Sequence, residues 1–149
     1  MKKTLASTLF AALLLSAGTA LAHDDATLDA SAAPNGGQLR MAGMYHFELV
    51  LAKDSKTAKD NPVVVYLSDH AGAKIASAGA SGTATLLGAS GKATATLRPD
   101  GDNRLKGVAK YASAPDTKVV LSITLPGKPP EQARFTPFAQ AGQASVAKK

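Results

Sequence analysis

Residues 45–52 read YHFELVLA. Side chains alternate across a β-strand, so Phe47, Leu49 and Leu51 share one face while His46, Glu48 and Val50 share the other. One face is apolar and the other carries an imidazole and a carboxylate. The pattern predicts a half-buried strand with Phe47 in the core and His46 and Glu48 on the solvent side. The residues just before it, PNGGQLRMAGM (34–44), contribute a Gly-Gly turn and two methionines, Met41 and Met44.

Outward from this strand, short segments rich in Val, Thr, Leu, Tyr and Phe are split by Gly, Pro, Asp and Asn, which is the pattern of an all-β domain. Pro62 opens a second strand with Val63, Val65 and Leu67 pointing inward and Val64, Tyr66 and Ser68 outward. Asp69-His70-Ala71-Gly72 reads as a turn, because Asp and Gly adopt turn dihedrals cheaply. Residues 83–87 and 93–97 flank GASGK and form a hairpin. PDGDN (99–103) separates it from a weaker strand, LKGVAKY. KVVLSITL (118–125) is the strongest core strand, with Val120 counted among its core residues. ARFTPF (133–138) closes the series at an edge, since Pro137 cannot donate to a ladder. Seven such strands fit two packed antiparallel sheets, an immunoglobulin-like β-sandwich spanning residues 34–138.

The two ends differ from this middle. Residues 1–22 have the form of a secretory signal: Lys2 and Lys3, an apolar run from Leu9 to Leu15, then Ala20-Leu21-Ala22 as the cleavage pattern. That run is too short for a bilayer span and no later segment is long enough, so no membrane insertion is expected after cleavage. Cleavage would take 22 residues from the 149 and lower the formal charge from +6 to +4, because Lys2 and Lys3 leave. A single domain in the periplasm follows. Residues 23–33 (HDDATLDASAA) lack periodicity and read as a mobile leader, and residues 139–149 as a disordered tail.

Composition narrows the chemistry. The remaining positive charge is dispersed among acids and aromatics are few, so no nucleic-acid stripe is formed. Cys is absent, which excludes thiolate metal sites and thiol catalysis. No G-x-S-x-G, H-E-x-x-H, phosphate loop or dinucleotide fingerprint is present, and the adjacent trio Ser68-Asp69-His70 cannot converge as a triad should. A non-catalytic protein is expected.

Metal binding remains. The chain has three histidines: His23, which becomes the amino terminus if cleavage follows Ala22, His46 on the strand, and His70 in the turn. A terminal histidine can chelate copper through its amine and ring nitrogen. His46 and Glu48 lie two apart and face the same way. Met41 and Met44 could offer thioether sulfur to Cu(I). Each residue also has a plain structural reading: a tolerated polar start, a solvent-side strand position, a turn residue, core filler.

The order of GGQLRMAGMYHFELV, VVVYLSDHAGAKI, GASGTATLL, PDGDNRLKG and KVVLSITLPG…ARFTP resembles small exported proteins associated with bacterial heavy-metal efflux, and a periplasmic segment of metal-efflux adaptor (membrane-fusion) subunits. The resemblance implies metal handling, with copper or another divalent metal ion as ligand and an efflux adaptor as partner. It carries His46 and Glu48 forward as site residues, and more loosely Asp69 and His70. Such relatives often have a histidine just before the Gly-Gly pair, where this chain has Asn35. The expectation is therefore an exported accessory protein of metal homeostasis, with Met44, His46, Glu48, His70 and His23 as candidate ligands. The alternative is a sandwich module that binds a protein or envelope partner without metal.

Overall fold

A computed structural model describes residues 25–139. The signal segment, His23 and residues 140–149 of the tail lie outside them. Within them the chain is all-β apart from one short helix, α1 (Asp25–Ala30). The strands are β1 (Gln38–Ala42), β2 (Tyr45–Leu51), β3 (Lys59–Asp69), β4 (Ser81–Gly88), β5 (Gly91–Pro99), β6 (Arg104–Tyr111), β7 (Lys118–Thr124) and β8 (Glu131–Phe135).

All pairings are antiparallel, in the order β1-β2-β3-β6-β5-β4-β7-β8. The expected all-β architecture is present, as one hydrogen-bonded antiparallel order of eight strands, one more than expected, nearly closed like a barrel. The shortest ladder, at the β5–β6 corner, has only Arg98↔Lys106 and Pro99↔Leu105 in register. The two ends of the order, β1 and β8, come together. There the Gln38 side-chain carbonyl accepts from the Thr136 backbone amide at 2.8 Å, so a side chain joins them where no ladder is formed.

The additional strand is β1. Its tight connection to β2 is the two-residue loop Gly43-Met44, with Gly43 at φ 58°. A glycine in the left-handed region at the first loop position suits the twist of a hairpin. Gly43 also packs against the Glu131 carboxylate of β8, where a side chain would collide.

The core is where alternation places it. Phe47, Leu49, Val63, Val65, Leu67, Leu97, Leu105, Leu121 and Ile123 are almost fully buried. Each contributes roughly 1.5–3 kcal/mol by leaving water. On β7 the buried set is Val119, Leu121 and Ile123. Val120 therefore points outward and is half-buried, contrary to its assignment to the core, because the register at KVVLSITL begins one residue earlier. One buried polar network ties the long β2–β3 loop to the end of β6. Asn61 donates from Nδ2 to Ser55 Oγ and to the Tyr111 carbonyl, both at 2.8 Å. The Tyr111 hydroxyl donates to the Pro62 carbonyl (2.6 Å) and accepts from the Ala52 amide (2.9 Å). Burial pushes the Tyr111 phenol above its ordinary value, the Ala52 bond opposing only part of that shift.

The leader is partly folded. A six-residue helix is marginal alone, so α1 depends on what it touches. Leu28 is buried, and Asp29 receives a forked contact from Arg40 (Nη1 at 2.7 Å, Nη2 at 3.0 Å). Asp25, one turn away, lies 3.5 Å from Arg40 Nε. Gln38 Nε2 also donates to Asp29 at 3.1 Å. Arg40 is 5% exposed, and a buried guanidinium requires such partners. Partial burial alone would raise the Asp29 pKa, but the hydrogen bonds from Arg40 and Gln38 and the Arg40 charge outweigh it and hold the pKa low.

Two outcomes follow. Phe47→Ala should cost about 3–5 kcal/mol in urea denaturation, whereas Val120→Ala should cost less than half as much. Because the folded-state pKa of Asp29 is depressed, its contribution is complete above the ordinary carboxylate value of 3.8 and is lost as pH falls through the lower folded value. Protection factors of the α1 backbone amides, taken against the intrinsic exchange rate at each pH, should fall under such acid before those of the strands, and Asp29→Asn should lower them in the same way at neutral pH.

Candidate functional site

β2 is the frame of the site. Its register with β1 sets Met41 opposite His46 and Leu39 opposite Glu48, and its register with β3 sets Ser68 and Tyr66 on the other side. His46 and Glu48 thus share the outer face, as the alternation requires. Neither is wet, however. His46 is 7% exposed and Glu48 3%, so the expectation of a solvent-side pair is corrected: other segments fold over this face and cover both.

The cover over Glu48 is the turn that precedes β1. The Asn35 amide donates to Glu48 Oε1 at 2.8 Å, the Asn35 side-chain amide to Oε2 at 2.8 Å, and the Gly37 amide to Oε1 at 3.0 Å. Both carboxylate oxygens are therefore engaged, by two backbone donors and one side chain. Gly37 lies so close to the Leu49 carbonyl that a Cβ there would clash with backbone; only glycine lets the turn settle onto β2. The position just before the Gly-Gly pair is Asn35. In this chain it is the residue that clasps Glu48, a role visible in the sequence only as the turn-forming run Asn35-Gly36-Gly37.

The cover over His46 is His70. The two rings stack with centroids 4.8 Å apart and planes at 29°. His70 follows β3 in a turn built by Asp69, whose Oδ1 accepts from the Ala71 and Ala73 amides at 2.9 and 2.8 Å. The Asp69 and Ala73 backbones close the turn at 2.9 Å, and Gly72 takes φ 82° within it. The Asp69 carboxylate is thereby spent on the turn. Its geometry holds the exposed His70 ring against the buried His46 ring.

The remaining candidates are distributed as follows. Met44 is at the tip of the β1–β2 hairpin and 77% exposed, two residues before His46. Met41 is half-buried beside His46. His23 lies outside the described residues. Among the described residues no group of three or more His, Asp or Glu side chains is close enough to hold a metal ion by itself. What the fold does assemble is an imidazole pair with thioethers on the adjoining strand and at the adjoining tip. Comparisons with protein-family models, curated proteins and solved structures yield no match to this chain.

The outer face continues past Glu48 through Tyr66 to Arg104, which are in register on β3 and β6. A hydrogen bond with Tyr66 and the charge of Asp100 raise the Arg104 pKa, and Arg104 Nη2 lies 2.9 Å from Asp100 Oδ2. This corner is a positioned ion pair at the surface, separate from the histidines. Among the described residues no helix is long and apolar enough to cross a membrane.

The Glu48 clasp gives a direct test of its role. Glu48→Ala leaves the Asn35 and Gly37 amides without their acceptor and should cost about 3 kcal/mol, since hydrogen bonds to a charged group are worth roughly 1.5–3 kcal/mol each and the turn can rehydrate in part. Asn35→Ala, which removes one side-chain donor, should cost about half of that. Urea midpoints of the two variants measure the ratio.

Proposed function

We propose that this protein is an exported, periplasmic accessory protein of metal homeostasis that takes up one copper ion reversibly on the outer face of β2. The observation that carries the reading is the His46–His70 pair. Two of the chain's three histidines, distant in sequence, are brought ring to ring at 4.8 Å. Imidazole suits copper, and thioether sulfur selects its cuprous state. Met41 beside His46 and the exposed Met44 supply that sulfur. His70 is exposed and able to turn toward an arriving ion, while buried His46 stays fixed.

Glu48 serves the site from behind in this reading. Its oxygens hold the turn over β2, so that a direct ligand role would require release of Asn35 and Gly37. An incomplete donor set on a surface favours fast exchange with a second protein, which fits delivery to an efflux adaptor, the partner that the sequence resemblance implies. Cleavage after Ala22 would make His23 a further chelating group through its free amine and imidazole. The weak β5–β6 corner supports reading the two four-strand halves as faces of an immunoglobulin-like sandwich with β1 added.

Titration with Cu(I) against a chromophoric competitor tests the assignment. The wild-type protein should bind one equivalent. His46→Ala and His70→Ala should each weaken binding at least about tenfold, equivalent to 1.4 kcal/mol, and Glu48→Gln should lower stability while keeping the stoichiometry. Equal affinity in wild type and both histidine variants would overturn the strand-face site. A form with one extra residue ahead of His23 separates any contribution of the terminal amine.

A further inference from the structure

On the opposite side of the molecule, the outward face of β5-β4-β7-β8 differs in character from the face around His46, and we infer that it binds an anionic polysaccharide. This inference is independent of the metal reading. The register lines up Thr96, Thr83, Ser122 and Gln132 in one row across the four strands. The next row begins with Thr94 opposite Thr85. Adjacent strands lie about 4.8 Å apart and alternate residues about 6.8 Å apart along a strand, so these groups form a regular grid of hydroxyls. None of the hydroxyls of Thr83, Thr96 or Ser122 is hydrogen-bonded to another described residue. An open groove of about 440 Å³ runs over the same part of the face, lined by Ser81, Thr83, Thr96, Arg98, Ser122 and Thr124.

The charges around the grid have one sign. Lys92, Arg98, Lys118 and Arg134 are exposed and face outward on these strands, and no Asp or Glu occupies an outward position on any of the four. None of these cations has an ion-pair partner among the described residues. Lys92 and Lys118 flank Leu87 from the two neighbouring strands, and Arg98 sits directly opposite Lys106 at the β5–β6 corner. Like charges set opposite each other are destabilising, and bound anions relieve that repulsion.

The partner must therefore be anionic, extended and rich in groups that both donate and accept hydrogen bonds. A uronate polysaccharide has carboxylates for the cations and hydroxyls for the grid. Nucleic acid fits less well, because the face offers no aromatic ring for a base to stack on. A lipid surface fits less well too, because Leu87, 43% exposed, is the only large apolar side chain standing free on these four strands.

Calorimetric titration of the purified protein with a polygalacturonate decamer at low salt tests this, with neutral dextran, duplex DNA and phosphatidylglycerol vesicles as parallel arms. Polygalacturonate should bind and weaken as salt rises, and dextran should not bind. The double variant Arg98→Gln/Lys118→Gln should weaken binding at least tenfold. Thr83→Val/Thr96→Val preserves shape, charge and strand preference; it should weaken binding at least threefold at an unchanged Tm, while His46→Ala leaves it intact. Polygalacturonate binding no stronger than dextran, tighter binding to DNA or vesicles, or valine variants indistinguishable from wild type would each overturn the inference.

Discussion

In a strand with one buried side, a slip of a single residue exchanges every inward group for an outward one. β2 is where this constraint is strictest. Phe47 and Leu49 lie between β1 and β3 with no room for the alternative, since Leu67 and Val65 oppose them on β3 and are equally buried. Once that register is set, His46 and Glu48 must emerge on the far side, flanked by Met41 and Ser68 in one row and by Leu39 and Tyr66 in the next. The apolar inward residues of β2 and β3 thus decide where His46 and Glu48 emerge.

That outer face acquires its character from two turns. The Asn35–Gly37 backbone settles over Glu48, and the Asp69 turn leans His70 over His46. A carboxylate held by three donors is a structural anion, whereas the buried His46 imidazole meets a second, exposed imidazole. Two residues that look equivalent in H-x-E-L therefore have different roles.

Sequence alone makes most of the strands legible because Leu, Val and Phe recur at alternate positions from β2 onward. β1 is harder to see. Its inward positions are Gln38, Arg40 and Ala42, so the code for burial is broken by a guanidinium whose partner, Asp29, comes from the leader. The start of β3 is obscured in the same way by inward Asn61, which is satisfied by Ser55 and by Tyr111 fifty residues further on. The histidines are each visible, but their meeting is not, because it depends on the β2–β3 register and on the direction in which a turn projects. The docking of α1 is hidden for a related reason: one leucine and two aspartates on six residues carry no periodic pattern of their own.

The seam where β1 meets β8 has a consequence for the edges of the sheet. A sheet that stops short of closing leaves strand edges whose free amides and carbonyls can recruit another chain. Here a glutamine spans the gap and a short helix, clamped through Arg40, rests against the first strand. Protection of this edge thus rests on one side-chain hydrogen bond and a docked helix rather than on a closed ladder.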